Sequence, residues 1–225
     1  SGRLSILVPV SGGPDSLYAL KKAVEYGKGV HVLLMEFKPE DSGAGRIHQA
    51  AAALFIDYFK EWIIKVHRYA VTGASCGTVE QGEYTGMYDR LRYVEYYFIA
   101  PITNILFDNS DITAISMGVC REEFDMVEDI SQHDAFKFDA RILGGAYRAL
   151  LDGREIDRFF LTLPAPTKQE IRNYVGEYLW GVSVGCAMPT DNHQVCGKCV
   201  KCKRLAATRY YGDDATWSGP EVKGK

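Results

Sequence analysis

The sequence predicts an α/β protein, in which a Rossmann-like parallel sheet with helices on both faces is followed by a small helical C-terminal lobe. Three observations predict this class. The first half of the chain alternates strand-like and helix-like segments, a glycine-rich turn follows the first strand, and four of the six cysteines cluster near the C-terminus. Alternating strands and helices form parallel sheets through right-handed crossovers. We therefore expect an α/β domain over residues 1–155 and a smaller lobe over residues 156–225.

Four segments of the first half are predicted to be strands because they are short apolar runs rich in β-branched residues. They are Leu4–Val10, Val30–Phe37, Trp62–Val71 and Asp111–Met117. Apolar residues at helical spacing predict the helices Asp15–Tyr26, Gly45–Phe59 and Met87–Asp108. Pro101 predicts a kink or a fresh start within the third helix. Thr72–Gly86 shows no periodicity and is expected to be a loop.

The second half is less regular than the first. The short apolar run Phe159–Leu163 predicts a last strand. Thr167 and Glu170 form the capping-box pattern, in which each side chain accepts a hydrogen bond from the other residue's backbone N–H. This pattern predicts a helix from Thr167 to about Tyr178. The other predicted helices are Asp134–Leu151 and a basic helix from about Cys199 to Tyr211.

The composition excludes several classes of protein. Hydrophobic residues make up 47% of the 225 residues and charged residues 24%, as in globular proteins and not in disordered chains. The net charge of −3 argues against stable nucleic-acid binding, because proteins that wrap nucleic acids are usually basic. No apolar run reaches the roughly 18 residues of a membrane span, and no segment resembles a signal peptide. We expect a cytoplasmic protein that binds a small ligand.

The segment Ser11–Ser16 connects the first strand to the first helix, where open α/β sheets bind ligands. Its two glycines let the backbone approach a phosphate without an obstructing Cβ, and the N–H groups at the helix start attract anions. Its two serine hydroxyls can donate hydrogen bonds to phosphate oxygens. Asp15 would repel a bare phosphate, so we expect it to cap the helix or to bind Mg²⁺. The segment lacks the lysine of the Walker A loop, which argues against a kinase-like nucleotide site.

Four cysteines form a C-x9-C-x2-C-x2-C pattern, namely Cys186, Cys196, Cys199 and Cys202. Four thiolates can close a tetrahedral shell around Zn²⁺, and the C-x2-C spacing lets two sulfurs reach one ion from a tight turn. Neighbouring basic residues would offset the negative charge of this site. We expect a structural zinc ion, and an iron–sulfur cluster or a redox dithiol are the alternatives. Cys76 and Cys120 lie apart from the cluster. Cys120 follows the end of a predicted strand and could face the site, but an isolated cysteine more often packs in the core, and we expect packing roles for both.

The sequence of Ser11–Ser16 resembles the signature loop of the PP-loop ATP pyrophosphatases, which belong to the adenine nucleotide alpha hydrolase superfamily. The resemblance implies the PP-loop form of the Rossmann-like sheet, known as the HUP fold. It also implies that the loop binds the phosphates of ATP and that ATP is split between its α- and β-phosphates. In this superfamily a carboxylate or carbonyl is adenylated, and an amine or sulfur then displaces AMP.

The pattern as a whole is similar to the 7-cyano-7-deazaguanine synthase (QueC) family over nearly the entire chain. The loop near the N-terminus, the chain length and the cysteine pattern followed by a basic helix all match that family. Pro164–Ile171 resembles its proline-rich turn and helix start, and Ser116–Val119 resembles its strand-Gly-Val step. The resemblance implies that ATP activates the carboxylate of 7-carboxy-7-deazaguanine and that ammonia gives the amide and then the nitrile preQ0. It further implies Mg²⁺, a structural Zn²⁺ and a homodimer.

The resemblance also implies roles for individual residues. Asp15 and Ser16 are the implied catalytic residues. The implied ATP site consists of Val10, Ser11, Gly12, Gly13, Asp15, Ser16 and Phe37. The implied substrate contacts are Asn104, Glu122, Asp134, Phe136 and Lys168. The implied zinc ligands are Cys186, Cys196, Cys199 and Cys202.

The chain departs from the family pattern in three places. Pro14 occupies the position of a larger aliphatic residue, Thr103 stands where the family has an arginine before Asn104, and Glu122–Phe136 replaces a substrate-contacting segment. These departures keep two further outcomes open: a reaction that stops at the amide, and coupling of the activated deazapurine to another amine. A protein N-terminus in antiphage defence is one such amine. A PP-loop enzyme that modifies tRNA is the remaining alternative.

Overall fold

The computed structural model describes residues 5–26, 29–38, 43–72, 101–118, 120, 158–161, 166–185 and 196–197. Its strands are β1 (Ser5–Val10), β2 (Gly29–Lys38), β3 (Ile63–Thr72), β4 (Ile112–Met117) and β5 (Arg158–Leu161). Its helices are α1 (Pro14–Glu25), α2 (Gly43–Tyr58), α3 (101–108), α4 (Lys168–Val175) and α5 (Glu177–Val182). Within the described residues the five strands form one sheet in the order β3-β2-β1-β4-β5, and every pair is parallel. The predicted α/β class and the Rossmann-like parallel sheet are confirmed.

Strand β1 lies at the centre of the sheet, and all six of its residues are buried. Its side chains alternate between the two faces, as the period of two residues in a strand requires. Ile6 and Val8 pack in a core with apolar residues of α1, α2, α4 and α5, whereas Leu7 packs on the opposite face with α3. Helices therefore cover both faces, as predicted. None of the helices in the described ranges is both long and apolar enough to cross a bilayer.

The described strands and most of the helix ends lie within two residues of their predicted bounds. The helix that begins after Thr167 is the exception, because it was predicted to continue to about Tyr178 and ends at Val175. Gly176 follows with a φ of 87°, a left-handed conformation that interrupts the helical path, and α5 begins at the next residue. Glycine adopts this conformation without the steric cost that a Cβ imposes. The predicted capping box at Thr167 is confirmed.

The sheet continues past residue 155, the predicted end of the first domain. Strand β5 pairs with β4, and Ile171 of α4 and Leu179 of α5 belong to the same core cluster as the apolar side chains of α1. Most of the other elements predicted in the second half lie outside the described residues, including Asp134–Leu151 and the basic helix that follows Cys199. The boundaries of the C-terminal lobe stay a prediction.

Two buried histidines connect neighbouring strands on the face of the sheet that carries Leu33. His31 on β2 and His67 on β3 have stacked rings, and 2.9 Å separates the His31 Nδ1 from the His67 Nε2. The other ring nitrogen of His31, Nε2, lies 3.4 Å from the Asp111 carboxylate, which accepts a 2.6 Å hydrogen bond from the Ser5 hydroxyl. The side chains of Ser5, Asp111, His31 and His67 thus form a continuous row of polar contacts. The row connects the starts of β1 and β4 with β2 and β3. One nitrogen of the facing pair must donate and the other accept, so the arrangement suits two neutral rings.

Acidification is expected to destabilise the fold through this histidine pair. The pKa of His67 is lowered to about 4, mainly by burial and also by the charges of His31 and Lys65, against a weaker opposing effect of Asp108. Burial also lowers the pKa of His31, although Asp111 opposes that shift. A histidine with a lowered pKa stabilises the fold while it is neutral. The free energy of unfolding should therefore be highest above about pH 6.5 and fall by about 3 kcal/mol towards pH 4 on account of His67.

Urea unfolding at a series of pH values measures this loss, and the His67→Gln variant provides the comparison. Glutamine places an amide nitrogen near the position of the His67 Nε2 but does not titrate, so the variant should lose much less stability between pH 6.5 and pH 4. The carboxylates that titrate near pH 4 are the same in both proteins, and the difference between the two curves isolates the histidine. Parallel curves would contradict the assignment.

Candidate functional site

The predicted loop lies at the carboxyl end of the central strand. Residues 11–13 leave β1 and lead directly into α1. Strand β1 has β2 on one side and β4 on the other, so the order of strands along the chain reverses between β1 and β4. Open α/β sheets bind ligands in the crevice that forms at such a reversal, outside the carboxyl ends of the strands. The fold thus places the loop at the position where a ligand is expected.

The backbone of the loop requires glycine at Gly12. Its φ is 81°, and a Cβ at this position would overlap the carbonyl oxygen of His48 on α2. Gly13 is the N-cap residue of α1, and Pro14 is the first helical residue, where its fixed φ is already suited to the helix. No side chain caps the helix at Gly13. Pro14 has no N–H, so the first-turn N–H groups that lack a carbonyl partner within the helix are those of Asp15 and Ser16, and such groups bind anions at helix starts.

Ser16 lies in the first turn of α1, and its hydroxyl group makes hydrogen bonds to the backbone of the loop. Its hydroxyl donates a 2.9 Å hydrogen bond to the Gly13 carbonyl and accepts a 3.2 Å hydrogen bond from the Ser11 N–H. The hydroxyl groups of Ser11 and Ser16 are 3.4 Å apart, so both serines predicted to contact phosphate face one another across the loop. Ser16 is buried, whereas Ser11 is exposed. A ligand that enters the loop therefore meets Ser11 first.

The end of β4 packs directly against the start of α1. A Cβ on Gly118 would overlap the Asp15 carbonyl group and lie 2.7 Å from the Ser16 backbone nitrogen. Gly118 is therefore a contact between β4 and the loop that only a residue without a side chain can make. The Ser116 hydroxyl on β4 also lies 3.4 Å from the Ala19 carbonyl on α1. Both contacts hold the end of β4 against α1, beside the crevice between β1 and β4.

Asp15 forms an ion pair with Lys168, the first residue of α4. The two side chains are largely shielded from water, with 19% of Asp15 and 10% of Lys168 exposed. A cation in the first turn of a helix is unfavourable because the helix dipole is positive there. The Asp15 carboxylate offsets this effect, and an arriving anion would offset it as well. The pair therefore joins the predicted catalytic residue to a predicted substrate contact.

The structure brings some of the predicted site residues together and not others. Six of the predicted ATP-site residues lie together in or beside the loop, namely Val10, Ser11, Gly12, Gly13, Asp15 and Ser16. Phe37 is in β2, and its side chain is outside the described part of the molecule. Asn104 is exposed on α3, which packs on the face of the sheet opposite α1. No hydrogen bond among the described residues joins Asn104 to the loop.

The remaining predicted site residues lie mostly outside the described ranges. They are Glu122, Asp134, Phe136, Cys186, Cys199 and Cys202. Cys196 is described, and it is partly buried against the core cluster that contains α1. The zinc site consequently stays a prediction from the spacing of the cysteines.

Two residues contact the loop without having been predicted from the sequence. His48 on α2 has its Nδ1 3.2 Å from the Ser11 carbonyl oxygen. Val184, which follows α5, donates its backbone N–H to the Gly12 carbonyl at 2.9 Å. A backbone donor leaves no mark in the residue types, and no recognisable motif surrounds His48 in α2.

The loop, the first turn of α1 and Lys168 together form a candidate anion site, with one carboxylate beside it. Comparison with known proteins gives no match to this chain, either among protein-family models or among curated proteins. The geometry of this site and the sequence motifs are therefore what indicates a function.

Proposed function

We propose that this chain is an ATP-dependent ligase of the QueC type. It adenylates the carboxylate of 7-carboxy-7-deazaguanine and adds ammonia to give the amide and then the nitrile preQ0. One observation carries the proposal: the Ser-Gly-Gly-Pro-Asp-Ser loop lies between β1 and α1, at the crevice where the strand order reverses. The loop supplies the phosphate-binding part of the proposal, and the resemblance to the family supplies the substrate.

The loop is suited to the phosphates of ATP for three reasons. Gly12 and Gly13 present backbone rather than side chain, so N–H groups can approach phosphate oxygens closely. The first turn of α1 adds further N–H groups and the positive end of a helix dipole. Ser11 supplies an exposed hydroxyl. These donors are held in place before the ligand arrives, which favours tight positioning of the α-phosphate.

Asp15 and Lys168 supply the charges of the proposed site. A Mg²⁺ ion bound with a nucleotide takes one or two carboxylates together with phosphate oxygens, and Asp15 is a carboxylate at the end of the loop. Bound Mg²⁺ would neutralise negative charge that develops on the phosphates. Lys168 would then be released from Asp15 to hold an anionic group of the substrate or of the departing pyrophosphate. The ion pair keeps both side chains in position until ATP binds.

The proposed reaction proceeds by two adenylations. A carboxylate oxygen of the substrate attacks the α-phosphorus of ATP, and pyrophosphate leaves. Ammonia attacks the acyl carbon and loses a proton while AMP leaves, which gives the amide. A second ATP adenylates the amide oxygen, and loss of AMP and two amide protons leaves the nitrile. No side-chain nucleophile is required, so the residues of the loop contribute by orienting the reactants and stabilising charge.

The proposal extends to the C-terminal lobe and the assembly. Zn²⁺ would have a structural role there, held by Cys186, Cys196, Cys199 and Cys202, since four thiolates close its coordination shell. The packing of Cys196 against the α1 side of the core supports a lobe that is attached to the α/β domain. The proposed assembly is a homodimer, and the proposed compartment is the cytoplasm.

Mass spectrometry of the reaction products tests the proposal. We expect ATP, ammonia and 7-carboxy-7-deazaguanine to give AMP, pyrophosphate and the nitrile in the presence of the protein. A matched reaction with 7-deazaguanine, which has no carboxylate to activate, should give no AMP above background. If the amide or a conjugate with an added amine accumulated, adenylation of the carboxylate would stand and the proposed product would change. Absence of substrate-dependent AMP would overturn the proposal.

A further inference from the structure

The carbonyl groups of the loop are all occupied by donors from the surrounding structure. The Ser11 carbonyl oxygen lies 3.2 Å from the His48 Nδ1, and the Gly12 carbonyl accepts a 2.9 Å hydrogen bond from the Val184 N–H. The Gly13 carbonyl accepts from the Ser16 hydroxyl and from the Leu17 N–H. Three consecutive peptide groups are thus held by their oxygens.

The contact with His48 fixes the proton on that ring. A carbonyl oxygen can only accept, so the His48 Nδ1 must carry the hydrogen that it donates. The backbone of α2 also touches the loop at this residue, because the His48 carbonyl oxygen occupies the space that a Cβ on Gly12 would need. The side chain and the backbone of His48 therefore hold the same turn of the loop.

Holding a carbonyl also orients an N–H group. In a trans peptide the C=O and N–H bonds point in opposite directions. When the His48 imidazole holds the Ser11 carbonyl, the N–H of Gly12 in the same peptide group points away from α2. The Val184 N–H does the same for the next peptide group and so orients the N–H of Gly13. Successive N–H groups that are turned away from their neighbours make an anion-binding concavity.

We propose that His48 is a positioning residue, whose Nδ1–H holds the Ser11–Gly12 peptide so that the Gly12 N–H faces a phosphate of the nucleotide. This inference rests on the proposed ATP site and adds a residue that neither the loop motif nor the resemblance contains. His48 does not touch the reacting atoms in this role. Its loss should weaken nucleotide binding and leave the rate at saturating ATP nearly unchanged.

Two substitutions separate the Nδ1 hydrogen bond from the rest of the side chain. The Nδ2 amide of asparagine occupies nearly the position of the histidine Nδ1, whereas the Nε2 amide of glutamine occupies the position of the histidine Nε2. We expect His48→Asn to bind the nucleotide like the wild type. His48→Gln should bind it roughly 5- to 10-fold more weakly, the size expected for one hydrogen bond. Gln49→Ala, at the next position of α2, is the matched control and should change nothing.

The test measures the dissociation constant of α,β-methylene ATP by calorimetry and the melting temperature of each variant. This analogue cannot be split between its α- and β-phosphates, so the measurement reports binding alone. Weaker binding by His48→Gln, retention by His48→Asn and similar melting temperatures support the inference. Equal binding by both variants and the wild type would overturn it while the ATP site stands. If both variants bound the nucleotide more weakly by the same factor and also melted at a lower temperature, His48 would have a purely structural role and the inference would be wrong. A wild type that does not bind the nucleotide would remove the proposed function and this inference together.

Discussion

The Asp15→Asn variant should lose about 100-fold or more of its substrate-dependent AMP formation, the size typical of removing one electrostatic group from a reacting site. Asparagine keeps the shape of the side chain and can still accept a hydrogen bond from Lys168, so the loop should keep its geometry. The negative charge is what the variant lacks. We expect the free energy of unfolding to fall by about 1–3 kcal/mol, because the shielded Lys168 ammonium then has a neutral acceptor in place of its counter-charge. Rates are therefore compared at a temperature where both proteins are fully folded, so that the loss of AMP formation reports the catalytic role of Asp15 separately from its role in stability.

Lys168→Met removes the cation of the same ion pair and is compared with Asp15→Asn, which removes the anion. It leaves the shielded Asp15 carboxylate without its cation, so it should cost about 1–3 kcal/mol of stability. Removal of both charges should cost less stability than the two single losses combined, because the double variant leaves no unpaired charge. Its activity should stay low, since neither charge is present for the reaction.

The Arg172–Glu177 pair supplies the matched control for these variants. It is also a close ion pair, with 2.8 Å between the Arg172 Nη2 and the Glu177 carboxylate, but 74% of the Glu177 side chain is exposed. Glu177→Gln should change stability by less than about 1 kcal/mol and leave AMP formation as in the wild type. Wild-type AMP formation by Asp15→Asn would show that the carboxylate has only a structural role.

The features that the sequence predicts correctly are local ones. The buried strand β1 and its loop are evident because an apolar run is followed at once by two glycines, a proline and a helical pattern. The capping box at Thr167 involves residues three positions apart, and its geometry is present as predicted. The interruption at Gly176 was missed because the apolar spacing continues across it into α5, and a single glycine is tolerated within many helices.

The features that the sequence does not predict are contacts between distant segments. Asp15 and Lys168 are 153 positions apart, and the loop motif gives no sign that the start of α4 reaches it. The contact between His48 and Ser11 depends on how α2 crosses the sheet after β2, which hydrophobic periodicity does not determine. The facing rings of His31 and His67 depend in the same way on the register of β2 and β3, which shifts by one residue between Val30 and His31. Each of these contacts follows from packing rather than from residue pattern.

The Gly118→Ala variant should destabilise the protein by about 2–3 kcal/mol, the upper part of the range for overpacking a filled interior. The added Cβ would overlap the Asp15 carbonyl group, and the Ser16 backbone nitrogen would lie only 2.7 Å away. These are backbone atoms at the start of α1, so relief requires that β4 or the loop moves. Displacement of a binding group by about 1 Å can cost about 100-fold in rate. We therefore expect nucleotide binding and AMP formation to fall together.

Gly176→Ala distinguishes this steric effect from the general cost of replacing a glycine. Gly176 has a left-handed φ of 87°, yet no atom lies within 4 Å of a Cβ placed on it. With a ψ of 157° this conformation is accessible essentially to glycine alone, so alanine there should cost about 1–3 kcal/mol through its backbone conformation and leave nucleotide binding unchanged. Gly118 is the opposite case, because its φ is not left-handed and only the lack of space excludes a side chain. If Gly118→Ala bound α,β-methylene ATP like the wild type, the contact between β4 and the loop would not control the site. If both variants lost binding equally, the loss would reflect stability rather than the position of the loop.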